Sequence, residues 1–70
     1  MMPITIAKSG ETHIIKKITG SEKIRGHLAE MGFVMDAEVT LVNQIGGNVI
    51  ISIKGSRVAL DESIANKILI

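Results

Sequence analysis

Apolar and polar residues alternate along four short stretches of the chain, which is the period-two pattern of half-buried β-strands. Inward-facing aliphatic side chains define each stretch, for example Val39 and Leu41 in the first, and Val49, Ile51 and Ile53 in the second. The predicted strands span residues 37–43, 48–54, 57–60 and 67–70. Glycine pairs and Gly-Ser pairs accept the positive φ of tight hairpin turns, so the sequence predicts turns at Gly46-Gly47 and Gly55-Ser56.

Apolar and polar residues alternate less regularly in the first twenty residues. Residues 3–7 predict a short extended piece with Ile4 and Ile6 on one face, and Gly10 lies in a predicted turn. The stretch THIIKKITG, residues 12–20, predicts a strand in which both faces carry isoleucine. A bulge that turns both Ile15 and Ile18 inward would resolve this ambiguity.

One stretch, about residues 21–31, has the spacing of an amphipathic helix. Ile24, Leu28 and Met31 recur at i, i+4 and i+7 and form one apolar stripe. Ser21 is placed to cap the helix, and Gly32 is placed to end it in a left-handed conformation. A shorter helical turn is predicted at about residues 61–66 with Asp61 as its cap.

Five or six short strands with one apolar face bury that face best by curling into a small closed barrel. The sequence therefore predicts a mainly β, single-domain fold over residues 1–70 with one inserted helix. Phe33, the only aromatic residue, follows the helix directly, where one large side chain can close a barrel end lined by Ile and Val. Structural roles are predicted for Phe33 and for three glycines, Gly32, Gly47 and Gly55.

Composition narrows the class of protein further. The chain has 70 residues, 46% of them hydrophobic, and no cysteine, so aliphatic packing has to replace disulfides and a thiolate zinc site is excluded. Eight Lys and Arg against seven Asp and Glu argue against tight nucleic-acid binding. No apolar run approaches the ~20 residues of a membrane span. The N-terminus lacks the features of a secretory signal, so a cytoplasmic protein is expected.

Candidate chemistry is sparse. His13 and His27, with Glu11 or Glu30, are the only metal-ligand candidates, but no pair has ligand spacing and surface histidines are the simpler interpretation. The glycine pairs do not fit a nucleotide-binding loop. No histidine has an evident carboxylate partner by spacing, and no serine lies in a strained elbow. The sequence predicts neither an enzyme nor a bound cofactor or metal.

The segments LAEMGF (residues 28–33) and GSRVAL (residues 55–60), with ANKI at residues 65–68, resemble the FeoA family of small ferrous-iron transport proteins. The resemblance runs through most of the chain. This sequence departs from the family at Met35-Asp36, where a Pro-Gly turn is usual, and its loop at residues 43–48 is compact. We expect the first departure to be harmless because aspartate suits a type I turn.

The resemblance implies a barrel like an SH3 domain, related to the C-terminal SH3-like domain of iron-dependent repressors. It implies a cytoplasmic, non-enzymatic accessory or regulator of the membrane ferrous-iron transporter FeoB, which carries a cytoplasmic GTP-binding domain. A nucleic-acid-binding barrel and a metal-dependent repressor accessory domain remain alternatives. The strand edges of a partly open barrel could also support a weak homo-oligomer.

Five residues are candidates for contact with such a partner. Met35 and Ile50 are apolar and predicted to face outward, where they would form an adaptable contact surface. Arg25, Lys54 and Arg57 carry positive charge near turns or on the helix and could meet an acidic protein domain.

Overall fold

The computed structural model describes all residues, 1–70, and contains six strands and two α-helices. In chain order the elements are β1 (Thr12–Ile14), β2 (Lys17–Ile18), α1 (Glu22–Glu30), β3 (Glu38–Ile45), β4 (Asn48–Ile53), β5 (Ser56–Asp61), α2 (Glu62–Ala65) and β6 (Ile68–Leu69). The mainly β class, the inserted helix and the short second helix are therefore confirmed.

The strands form two antiparallel sheets, one in the order β1-β3-β4-β5 and one that pairs β2 with β6. The chain changes sheet at Ile15 and Lys16. The Ile15 amide donates to the carbonyl of Ala37 (2.9 Å), whereas the Lys16 amide donates to that of Leu69 (2.8 Å). The prediction of one strand over residues 12–20 is wrong, because the backbone switches partners there. Ile15 is turned fully into the core at this switch.

The N-terminal segment is also different from its prediction. Residues Ile4–Ile6 form a 3₁₀ helix rather than an extended piece, and the Ala7 amide donates to the Ile4 carbonyl at 3.0 Å. Three residues per turn cannot keep positions two apart on one face. Ile4 is therefore buried, whereas Ile6 is 62% exposed.

Fourteen buried side chains, all apolar, form one cluster between the two sheets and the helices. The strand residues predicted to face inward are in this cluster, as are Ile68 and Ile70 near the C-terminus. Phe33 is 1% exposed, so the single aromatic ring is part of the core as predicted. No polar or charged residue is buried, which means that the barrel interior holds packing groups and no reactive ones.

Helix α1 begins and ends with residues that satisfy its free backbone groups. The Ser21 hydroxyl accepts a hydrogen bond from the Ile24 amide at 3.2 Å. At the other end Gly32 takes φ +98° and its amide donates to Ala29, while the Phe33 amide donates to Leu28. This pair of bonds is a Schellman motif, in which the left-handed glycine reverses the chain. The motif directs Phe33 back toward the core at once.

Two-residue turns join β4 to both of its neighbours. Gly46 and Gly47 take φ values of +55° and +83°, and Lys54 and Gly55 take +50° and +78°. Positive φ at both central residues defines the type I′ hairpin turn, which suits the twist of the strands. The second turn was predicted one residue too late, because Ser56 already pairs with Ile53 as the first residue of β5.

Besides Lys54, one other residue that is not glycine has a positive φ. This residue is Asp36, with φ +71°. The Ala37 amide donates to the Val34 carbonyl at 3.1 Å, so residues 34–37 form a β-turn with a left-handed third residue. Positive φ at that position is a feature of type II turns, not of type I. The expectation of an unstrained type I turn at Met35-Asp36 is therefore wrong.

Candidate partner-binding surfaces

A row of short polar side chains crosses the outer face of the four-stranded sheet. The strand register places Thr12 opposite Thr40, Thr40 opposite Ser52, and Ser52 opposite Arg57. The hydroxyl oxygens of Thr12 and Thr40 lie 2.7 Å apart, which shows that these side chains share one face. The row ends in a guanidinium group at the exposed end of β5.

Next to this row lies a shallow depression of about 380 Å³, here called the sheet hollow. It is lined by Ala37, Glu38, Thr40, Ser52, Lys54 and Gly55. Residues from β3, from β4 and from the following turn therefore meet in it because those strands are neighbours. Its lining is mostly polar, with one carboxylate and one ammonium group, so it suits surface recognition by polar contacts rather than an apolar ligand.

The five residues predicted to contact a partner do not form one patch. Lys54 lines the sheet hollow, and Arg57 ends the polar row beside it. Met35 is 64% exposed in the turn that leads into β3, and Ile50 is half-buried opposite Ala59 on the outer side of β4. Arg25 is exposed on α1 and lines neither depression of the surface.

A second depression of about 250 Å³, here called the edge groove, separates α1 from the end of β5 and from α2. It is lined by Lys23, Ile24, His27, Ala59, Leu60, Asp61 and Ile64. Four of these residues are apolar, and the charged or titratable ones come from α1 and from the α2 cap. The sequence indicated exposed strand edges, but it did not place α1 and α2 beside one of them, so this groove was not predicted.

The two histidines lie apart. His27 belongs to the edge groove, whereas His13 on β1 places Nε2 3.3 Å from Oε1 of Glu11. The statement that neither histidine has a carboxylate partner is therefore wrong, because positions two apart near a strand lie on one side. The Lys8 backbone amide also donates to Glu11 Oε1, at 3.0 Å. Both hydrogen bonds lower the pKa of Glu11 below its ordinary value of 4.5, and the bond from the Lys8 amide has the larger effect.

Glu11 and His13 make only a pair of potential metal ligands. No group of three His, Cys, Asp or Glu side chains in the chain is arranged to hold a metal ion. None of the helices is both long and apolar enough to cross a membrane.

Solved structures with the same fold come from two kinds of protein. An iron uptake regulatory protein (FeoA) superposes with a TM-score of 0.86 and 27% identity, over 96% of this chain and 89% of its own. FeoA of Stenotrophomonas maltophilia, crystallised with zinc and described as an SH3 domain protein, gives 0.85 and 21%, over 99% and 88%. A manganese-dependent transcriptional repressor gives 0.85 and 17%, over 94% of this chain but 38% of the repressor. The predicted SH3-like fold is thus confirmed, and part of the repressor has the same fold.

Sequence comparison covers the chain from end to end. A protein of Methanocaldococcus jannaschii, whose name as an Fe(2+) transport protein A is provisional, is 36% identical over 70 residues, which are all of this chain and 85% of that protein. The FeoA domain family matches residues 2–70. This chain therefore belongs to the FeoA family.

Proposed function

We propose that this protein is a non-enzymatic, cytoplasmic accessory of ferrous-iron uptake that binds the cytoplasmic part of a FeoB-like membrane transporter. The observation that carries the proposal is the match of the FeoA domain to residues 2–70. The interior of the barrel is a closely packed apolar cluster, so contact with a partner would use its outer surface.

The surface around the sheet hollow supports binding by polar and charged contacts. Lys54 and Arg57 place two positive groups in and next to the β4–β5 turn. Complementary charge between such groups and an acidic partner domain would speed and orient association. Direct binding at this surface is our hypothesis for the regulatory contact.

A proline-rich peptide is a poor candidate for the partner. SH3 domains hold such peptides in grooves lined by exposed aromatic side chains. Here the only aromatic residue is Phe33, which is 1% exposed. The SH3-like architecture of this chain therefore supports recognition through its turns and strands instead.

The test is titration of the isotope-labelled protein with the purified cytoplasmic domain of the transporter, followed by amide NMR shifts. We expect the largest shifts around Lys54 and Arg57. Lys54→Asn removes a charge while keeping a residue that tolerates the positive φ of the turn. We expect this variant to bind about two- to fivefold more weakly, as for loss of one exposed charge.

Lys17→Gln is the matched control, because it removes the same charge from the two-stranded sheet. It should bind as tightly as the parent protein. Absence of association in the GTP-bound, GDP-bound and nucleotide-free states of the transporter domain would contradict the proposal. Equal weakening by both variants would show that net charge, rather than this surface, governs binding.

A further inference from the structure

Strand β5 has one side without a partner, because the sheet order β1-β3-β4-β5 leaves it at the edge. The two-residue turn makes Ile53 and Ser56 a hydrogen-bonded pair, and such pairs alternate along an antiparallel ladder. Val58 and Leu60 therefore bond to β4. The backbone groups of Arg57 and Ala59 point away from the sheet.

No other part of the chain satisfies these outward groups. Arg57 and Ala59 take part in none of the backbone hydrogen bonds that the turns, loops and caps contribute. No side chain bonds to them either. Natural edge strands are commonly blocked by proline, lysine or a bulge, or covered by a loop. At its centre this edge carries Ala59 instead, which is exposed and too small to shield its own backbone.

The edge groove runs beside this free backbone. Leu60 forms its floor from β5, and Ile24 and Ile64 form its apolar walls from the two helices. Lys23 and His27 stand on the α1 side, with Asp61 at the α2 end. An added strand that bonds to Arg57 and Ala59 would direct alternate side chains to the same side of the sheet as Leu60, and so into the groove.

We propose that β5 binds an extended peptide segment by strand addition, with one aliphatic side chain of the segment in the edge groove and an acidic residue next to it. The aliphatic anchor matches the Ile24, Leu60 and Ile64 lining. The acidic residue, two positions from the anchor and on the same face of the added strand, matches the ammonium group of Lys23 on α1. The segment belongs to the partner protein, so in the cell this inference depends on the proposed function.

The shape of the site favours a single extended chain over a second copy of this protein. Helix α1 stands next to the end of β5, and the space between them is about 250 Å³. A single strand has room in the edge groove. In a two-fold dimer that pairs two β5 strands, both α1 helices would lie on the same side of the joined sheet and would have to share the space there. A second copy is therefore an alternative outcome of the test.

The test uses the acetylated and amidated peptide Thr-Glu-Val-Leu-Val-Glu-Thr as a probe, titrated into the labelled protein. We expect shifts of the Arg57, Ala59 and Ile24 amides, and slower hydrogen exchange at Arg57 and Ala59. Ala59→Pro removes the outward N–H but no bond of the β4–β5 ladder, and proline is tolerated on edge strands. It should weaken probe binding about tenfold, the factor for one lost hydrogen bond of ~1.4 kcal/mol.

Ala59→Ser keeps the N–H and is the matched control, which should bind as the parent does. A dispersed spectrum of Ala59→Pro establishes that the variant is folded. If it is not, Ile64→Lys, which places a charge in the groove, replaces it and should likewise weaken binding of the probe. Probe binding that is unchanged in a folded edge or groove variant would overturn the inference. So would an edge-dependent dimer in sedimentation experiments without peptide.

The same variants separate this inference from the proposed function. If the transporter domain binds the parent and Ala59→Pro equally, the proposed function stands and strand addition is wrong. If the probe binds at the edge but the transporter domain does not associate at all, strand addition stands and the transporter is not the partner.

Discussion

The backbone amide of Phe33 donates a 3.0 Å hydrogen bond to the carbonyl oxygen of Leu28, and both side chains lie in the buried cluster. One short segment thus ends the helix and places the largest core side chain. The bond is the outer one of the Schellman motif, in which apolar residues at these two positions commonly meet. The only aromatic residue is therefore at the junction because its backbone closes α1 while its ring packs in the core.

Replacement of Phe33 by alanine should destabilise the protein by about 3–5 kcal/mol, the range for truncation of a buried aromatic residue. The ring is 1% exposed, so the substitution leaves a cavity in the core. Urea denaturation measures the loss. Phe33→Leu, which keeps most of the apolar volume, should lose much less, and a loss below about 1 kcal/mol for Phe33→Ala would show that the ring does not support the core.

The glycine in the middle of α1 and the glycine that ends it should respond to alanine in opposite directions. Gly32 has φ +98°, where a Cβ costs about 1–2 kcal/mol, so Gly32→Ala should destabilise by about that amount. Gly26 lies inside the exposed face of the helix, and an added Cβ there meets nothing within 4 Å. Gly26→Ala should stabilise by up to about 1 kcal/mol through helix propensity.

Thermal or urea unfolding of the two variants side by side checks this pair. An added Cβ at Gly32 would be 3.5 Å from the nearest side-chain atom, which is ordinary contact. Its cost is therefore conformational and not steric. Equal effects of the two substitutions would contradict the left-handed helix end.

Local signals in the sequence were sufficient for most of the barrel. Alternating aliphatic residues located β3 and β4, and the Ser21 cap and Gly32 bracketed α1, because each signal acts within a few residues. The switch of sheets at Ile15 was not predictable in the same way. It depends on hydrogen bonds to Ala37 and Leu69, which are distant in sequence, and isoleucine on both faces hides which one is buried.

The candidate surfaces depend on the same long-range information. The edge groove joins α1 residues such as Ile24 to Leu60 and Ile64, which a sequence pattern cannot place together without the sheet order. The Lys54-Gly55 turn was missed by one residue because lysine seldom adopts positive φ. The exposure of Lys54 and Arg57, by contrast, was predictable because charged residues near a hairpin turn stay on the surface, whereas their contact with a partner stays a prediction.

Asp36→Gly should stabilise the protein by about 0.5–1 kcal/mol. Aspartate has φ +71° there, and the relief of left-handed strain exceeds the extra unfolded-state entropy of glycine. Asp36→Ala is the control, since alanine tolerates this conformation less well than aspartate and should destabilise. Urea midpoints give both values. A loss of stability in Asp36→Gly would show that the Asp36 carboxylate, not the backbone, determines the turn.

Glu11 should make the stability of the protein depend on pH in the acid range. Its pKa is lowered from 4.5 because its carboxylate accepts hydrogen bonds from the Lys8 amide and from His13. A group with a lowered pKa stabilises the folded state fully above 4.5, and this contribution is lost as the pH falls through the lowered value. Below pH 4.5, we expect the urea midpoint of the parent protein to fall more steeply with decreasing pH than the urea midpoint of Glu11→Gln.

Glu30→Gln is the matched control, since it removes another exposed carboxyl group that contacts neither Lys8 nor His13. Its midpoint should follow that of the parent protein across the acid range. At neutral pH Glu11→Gln should already be slightly less stable than the parent, and the two curves should converge as Glu11 becomes protonated. Parallel curves for the parent and Glu11→Gln would mean that the Lys8–Glu11–His13 contacts do not persist in solution.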